Sequence, residues 1–233
     1  MEPLTTYFPF GPPIGYAKLP KELVDDFNEG CDNIVNDKKL SKSEDYSRKL
    51  VGQVQQELLI PKPIINKWGS WFGSQVREYV GGFCSQYFIS GQNIFPATKE
   101  EVIEALRRMK IDVNSAWYVR SFAGDYNPVH THIGCELTCV GFLKVPDLSK
   151  EPKKKMDNTN RGSPNGVLEV YSSIGVNSSM FENDRIGFVP KVGNWYLFPA
   201  NIRHAVYPFK SDGERRSFSI NMNTNMFKGE TEK

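Results

Sequence analysis

The hydrophobic period of the chain changes once, near residue 112, and that change constrains the fold more than any other feature. Before it, apolar residues recur at helical spacing. In "KELVDDFNEGCDNIVND" they fall at Leu23, Val24, Phe27, Cys31, Ile34 and Val35, the stripe of an amphipathic helix. "YSRKLVGQVQQELLI" continues the helical texture until Pro61 and Pro63 cut it. "INKWGSWFGSQVREYVGGFCSQYF" reads as a long aromatic-rich helix with Gly81 and Gly82 as weak points. "TKEEVIEALRRMKI" opens with Thr98 as N-cap and Glu101 three residues on, a capping box. Its stripe of Val102, Ala105, Leu106 and Met109 is expected to pack on a sheet.

From Ala116 onward the runs are short, rich in β-branched and aromatic residues, and bounded by Gly, Pro, Asn or Asp: "AWYVRSFAG", "ELTCVGFLKV", "GVLEVYSS", "RIGFVP", "NWYLFPA" and "RRSFSINMN". Several short strands with turn signals indicate a sandwich or barrel. Helices gathered before them buttress a sheet rather than alternate with its strands. The expectation is a mainly β single domain over 1–233, with a mostly helical N-terminal part, 1–112, packed on a β core, 113–225. The basic stretch "PDLSKEPKKKMDNTNRGSPNG", with its Lys153-Lys154-Lys155 run, reads as a solvated loop.

Bulk properties exclude several classes. A net charge of +2 supplies no general attraction to nucleic acid or anionic lipid. No apolar run approaches the ~20 residues needed to cross a bilayer. The opening "MEPLTTYFPFGPPIGY" has an early acid, no basic stretch and several prolines, so it does not read as a signal peptide and a cytoplasmic location is expected. Cys31, Cys84, Cys135 and Cys139 form no C-x-x-C pair and read as reduced, small apolar residues.

The chemistry gathers around three histidines. His130 and His132 stand one residue apart in "NPVHTHIGCE", and His204 follows the strand "NWYLFP". Side chains at i and i+2 of a strand point the same way, so an extended "HTH" aims both imidazoles at one ion. Imidazole suits Zn, Cu, Fe and Ni, and three ligands leave positions open for catalysis. Glu136 shares the parity of the pair and is a possible further ligand, with Gly134 between as a point where the register can break. Asp125 is a candidate to orient a ligand histidine. In "GERRSFSINMN", Arg215, Ser217, Ser219 and Asn221 share one parity and Arg216, Phe218, Ile220 and Met222 the other. A buried arginine beside a hydroxyl calls for an anion: a bidentate carboxylate ligand or an internal acid.

In order and spacing, "WYVRSFAGDYNPVHTH", "LTCVGFLKVP", "VPKVGNWYLFPANIRHAVYP" and "ERRSFSINMN" resemble the iron(II)- and 2-oxoglutarate-dependent oxygenases, with the phage and marine-bacterial prolyl-hydroxylase-like branch most similar. The resemblance implies a double-stranded β-helix, of jelly-roll or cupin-like form, over roughly 113–223. It implies Fe(II) as cofactor, 2-oxoglutarate and dioxygen as cosubstrates, and hydroxylation of an unidentified substrate with release of succinate and CO2. His130 and His204 then match the iron-binding histidines, and Arg215 the arginine on the distal carboxylate of 2-oxoglutarate, with Ser217 beside it; Tyr118 and Asn221 are further cosubstrate-site candidates and Trp195 a lining residue. The usual H-x-D is H-x-H here, so His132 stands where an acid is expected. Two rival readings use the same residues. A cupin-type metalloprotein without 2-oxoglutarate fits Gly124, His130, His132, Glu136, Pro190, Gly193 and His204, with Glu136 a true ligand. A non-catalytic, phage-associated binding protein would use the histidines as a metal staple.

Overall fold

The alternation inside "RRSFSINMNT" organises the molecule. In the computed structural model, which describes residues 13–89, 98–151, 165–171 and 185–226, this segment is a central strand with one face on the helices and the other on a cavity. In chain order the elements are β1 (Gly15–Lys18), α1 (Lys21–Asn36), α2 (Lys38–Ser43), β2 (Gln56–Leu59), α3 (Lys62–Ile89), α4 (Lys99–Arg108), β3 (Ile111–Ser121), β4 (Asn127–His130), β5 (Leu137–Lys144), β6 (Leu168–Tyr171), β7 (Arg185–Phe188), β8 (Asn194–Pro199), β9 (His204–Val206) and β10 (Arg215–Thr224). They form a six-stranded sheet, β1-β8-β5-β10-β3-β2, and a four-stranded sheet, β4-β9-β6-β7. Every strand pair is antiparallel. The protein is mostly β with a few helices, as the change of period predicts.

Period-two alternation sorts the large sheet into two faces. Phe218, Ile220 and Met222 of β10, Tyr118 of β3, Leu137, Cys139 and Leu143 of β5, and Trp195 and Leu197 of β8 pack against Leu23, Phe27, Phe72 and Val76 of α1 and α3. Phe27 anchors this layer, its ring 4.7 Å from Phe218 and 6.2 Å from Phe72. Gly141 belongs to it for want of space, since a Cβ there would stand 2.2 Å from the Phe218 ring. The opposite face sends Val140, Phe142, Tyr196 and Phe198 toward Leu168, Val170 and Ile202 around the small sheet. Burying a Leu- or Phe-sized side chain contributes about 1.5–3 kcal/mol, so both layers stabilise the same sheet.

Two local expectations are corrected. "YSRKLVGQVQQELLI" is not a helix: after one 3-10 turn at Ser47–Lys49 it becomes β2, hydrogen-bonded to the outer edge of β3. Strand pairing there overrides local helical texture. The end of the proline-rich opening is extended and contributes β1, an edge strand on β8. The α4 stripe packs against α3 rather than on a sheet, with Val102 buried and Leu106 facing Gly81. The Thr98–Glu101 capping box is present, and Gly81 and Gly82 do not interrupt α3. Pro63 sits in the first turn of α3, where a missing N–H costs nothing. Lys153, Lys154 and Lys155 lie outside the described residues. Cys31, Cys84 and Cys139 are buried free thiols and Cys135 is half-buried. Among the described residues no helix is long and apolar enough to cross a membrane.

Candidate functional site

Antiparallel pairing of β4 with β9 sets His130 directly opposite His204. β4 ends at His130, so His132 is not held by strand parity. Its backbone N–H instead donates to the Ala200 carbonyl at 2.8 Å, which pins the chain beyond the strand. One ligand atom from each of the three imidazoles lies within 4.8 Å of the others. The ring centroids are 4.2 Å apart for His130–His204, 5.1 Å for His132–His204 and 5.3 Å for His130–His132.

Hydrogen bonds decide which nitrogen each ring offers. His130 Nδ1 meets the Pro128 carbonyl at 2.7 Å, His204 Nδ1 the Ile202 carbonyl at 3.0 Å, and His132 Nδ1 the Asn221 Oδ1 at 2.7 Å. An acceptor at each Nδ1 assigns the proton to that nitrogen and leaves Nε2 with its lone pair. Asn221 Oδ1 also accepts from Thr138 Oγ1 at 2.9 Å, which fixes the amide. Burial lowers the pKa of all three rings, that of His132 to about 4 and that of His204 to about 3, with mutual repulsion adding to the effect on His204. At neutral pH the cluster therefore presents three uncharged donors, a set that suits a first-row divalent metal.

The two acids that the sequence suggested for the site are engaged elsewhere. Glu136 Oε2 accepts from the Thr224 N–H at 2.6 Å and from Thr224 Oγ1 at 2.9 Å, and Glu136 is not in the metal-ligating cluster. Gly134, at φ +72°, turns the chain between His132 and Glu136 and destroys the parity that linked them. Asp125 holds a turn by accepting from the N–H groups of Phe122 and Gln55, at 2.9 and 2.8 Å, and orients no histidine.

The histidines open onto a cavity of about 370 Å³ whose opposite wall includes Arg215, Ser217, Ser219 and Asn221. Arg215 is 1% exposed. Its guanidinium donates to the Gly166 carbonyl at 3.1 Å and Ser121 Oγ at 3.1 Å, and lies 5.6 Å from the centre of the Phe209 ring. Its Nε has no partner among the described residues, and none of the ion pairs there involves it. Burial lowers its pKa to about 10, so it stays cationic at neutral pH. Arg216, pointing the other way, is held by Glu214 and Asp32 at 2.8 and 2.7 Å.

Two sequence candidates lie on the wrong face. Tyr118 packs edge-on to Phe27 under the helices, and Trp195 packs against Trp71 in the same layer; neither lines the cavity. Trp117 and Val119, the other parity of β3, do. Trp117 stacks on His132 with ring centroids 5.7 Å apart. Asn221 lines the cavity as foreseen, but its amide serves His132. Thr138, Ser121 and the buried Glu57 were missed. The alternation Trp117-Val119-Ser121 was a usable signal for the first strand wall, whereas nothing local marks Glu57.

Residues 115–221 match the family model "Putative 2OG-Fe(II) oxygenase". No curated protein matches the chain. Similar solved structures include an oxidoreductase of the 2OG-Fe(II) oxygenase family from Burkholderia pseudomallei, 14% identical at a TM-score of 0.36, over 56% of this chain and 55% of that one. This chain thus spans about half the length of that relative. A Pseudomonas putida prolyl-4-hydroxylase is 14% identical at a TM-score of 0.46, over 90% and 91% of the two chains. The non-heme alpha ketoglutarate dependent carbocyclase SnoK, from nogalamycin biosynthesis, is 10% identical at 0.51, over 89% and 79%. This last likeness is one of fold. The stretch matched by the family model contains all three residues of the imidazole cluster.

Proposed function

We propose that this chain is an Fe(II)- and 2-oxoglutarate-dependent oxygenase that hydroxylates a C–H bond, built on a double-stranded β-helix of the prolyl-hydroxylase-like kind. One observation carries the reading: a cluster of three imidazoles, each with Nδ1 held by an acceptor, shares a cavity with a buried guanidinium that has no ion-pair partner among the described residues. The first fits Fe(II) and the second fits the distal carboxylate of 2-oxoglutarate.

His130, His132 and His204 are the residues that would hold Fe(II), and their Nδ1 partners keep each ring from rotating. When bound, the metal and 2-oxoglutarate together supply the oxidation of a C–H bond by dioxygen, with succinate and CO2 as coproducts. Arg215 presents a planar donor fork, aimed by the Gly166 carbonyl and Ser121, that matches a carboxylate bidentately. Ser217, 7% exposed on the same wall, offers a hydroxyl beside it. Val140, Phe142 and Val206 supply apolar lining between these groups.

The cupin-type reading needs Glu136 on the metal, and that carboxylate is taken by Thr224. A closed four-ligand staple needs a fourth protein ligand, and the cluster among the described residues has three. Anaerobic titration with Fe(II) and 2-oxoglutarate tests the proposal: a weak visible charge-transfer band should appear, and Arg215→Ala should remove it or demand far more cosubstrate. A wild-type protein with neither the band nor succinate release refutes it.

A further inference from the structure

Glu57 is the one acid among the described residues lining the cavity, and neither the metal cluster nor the cosubstrate clamp uses it. In β2 it stands opposite Val119, which itself stands opposite Ser217 of β10, so the three share one row across the inner face of the large sheet. Two strand spacings put Glu57 about 10 Å from Ser217. A ligand at Glu57 therefore occupies a different part of the cavity from one held by Arg215.

The carboxylate is 1% exposed, and its Oε2 has no hydrogen-bond partner among the described residues. The backbone of Glu57 is satisfied, accepting from the Tyr46 N–H and donating to Ser47 Oγ. Gly52 closes over it: a Cβ there would stand 2.8 Å from both Glu57 Oε1 and Asn127 Nδ2. Burial and, secondarily, the charge of Asp45 push its pKa up to about 7, and no cation offsets them. Lys49 also lines the cavity, but its ammonium sits over the Tyr46 ring at 5.1 Å. A buried acid with an unused oxygen destabilises the fold unless something pairs with it. Nearby Trp117 and Tyr46, rings 6.0 Å apart, add the electron-rich faces that favour a cation.

We propose that Glu57 is a specificity-determining residue of this cavity, taking a cationic nitrogen of the primary substrate, either a protonated amine or a guanidinium. The inference rests on the reading of the cavity as an oxygenase active site in which Arg215 is committed to 2-oxoglutarate. The substrate is then a cation that threads between Glu57 and the metal end of the cavity, while the anionic cosubstrate lies on Arg215.

The test uses protein loaded with Ni(II) and 2-oxoglutarate, which binds without turning over, and isothermal titration calorimetry. Pentylamine, agmatine and Nα-acetyl-lysine amide are the cationic probes, the last standing for a peptide side chain; 1-pentanol and pentanoate are the neutral and anionic counterparts. At least one cationic probe should bind roughly 10- to 100-fold more tightly than 1-pentanol, the range of a hydrogen bond to a charged group. Glu57→Gln should remove that preference and leave 1-pentanol unchanged, and Glu57→Asp should retain part of it. Equal binding of cation and alcohol by the wild type overturns the inference, as does a preference that survives Glu57→Gln. If the Gln variant fails to fold, the wild-type comparison and Glu57→Asp decide. Titration with 2-oxoglutarate separates the two readings: tight cosubstrate binding without amine preference sinks the role of Glu57 only. Amine preference without cosubstrate binding sinks the oxygenase reading only.

Discussion

Arg215 and Arg216 are chain neighbours, each 1% exposed, and they differ in almost everything else. Arg216 faces the helices and is held by Glu214, Asp32 and Asn28, so its charge is satisfied within the fold and its pKa is raised further. Arg215 faces the cavity with a serine hydroxyl and backbone carbonyls for company, and burial lowers its pKa. The helix-facing side settles the charge of Arg216 within the fold, although Tyr118 Oη and Trp195 Nε1 on that side are buried without hydrogen-bond partners among the described residues. The other lines a cavity with three imidazoles, a guanidinium and a carboxylate. What sets the cavity face apart is buried charge: Arg215 and Glu57 have no ion-pair partner among the described residues, and an unpaired buried charge is costlier than an unpaired hydroxyl or indole N–H.

Exchanging the two faces by mutation gives the sharpest contrast. His204→Ala should weaken Fe(II) or Co(II) binding by more than the roughly 10- to 100-fold that loss of an outer partner costs, with the far-ultraviolet circular dichroism unchanged. Arg215→Met should raise the Kd for 2-oxoglutarate by about 100-fold or more, the value of a charge-assisted bidentate contact, while chemical stability holds or improves. Arg216→Met should do the reverse, costing about 3 kcal/mol in urea unfolding and leaving 2-oxoglutarate binding intact. That figure sits at the low end of the range because Asp32 is half exposed. Equal stability losses in the two variants would break the comparison.

Glu57 sharpens it through pH. In the fold its proton is held to about pH 7, against 4.5 ordinarily. Below pH 4.5 both folded and unfolded chains are protonated, so metal-free wild type and Glu57→Gln should have matching stability. Between 4.5 and about 7 the unfolded chain ionises first, and the wild type loses stability as pH rises. By pH 8 the variant should be the more stable on the order of 3 kcal/mol, the equivalent of the pKa difference, as read from thermal melts across that range. Smaller effects close the series. Asn221→Ala should lower metal affinity about 10- to 100-fold by freeing the His132 ring. Glu136→Gln should leave metal affinity alone and cost about 1 kcal/mol at Thr224.

How much of this was legible depends on the range of the interaction. The cavity face of β10 could be read because strand alternation is local, and Arg215, Ser217, Ser219 and Asn221 do share it. On β3 the resemblance suggested Tyr118, yet Trp117 and Val119 of the other parity line the cavity, because which parity faces inward depends on where α1 and α3 dock. The histidines were singled out by spacing, yet His132 is placed by Ala200 and Asn221 rather than by strand parity. Glu136 was misjudged because parity does not survive the positive φ of Gly134. The segment around Glu57 was read as helix because its strand partner lies some sixty residues away, as in the Glu57–Val119 pairing.

The sequence by itself determined the succession of helices and short strands, the two-faced character of the last strand and the residue types able to bind a metal and an anion. These follow from side-chain periodicity and chemistry, which are properties of neighbours along the chain. Only the tertiary structure decided that three imidazoles converge, that Glu136 and Asp125 hold backbone groups elsewhere, and that Arg215 and Glu57 are buried without an ion-pair partner among the described residues. Those outcomes depend on register between distant strands and on which face the helices cover, and no local pattern encodes either.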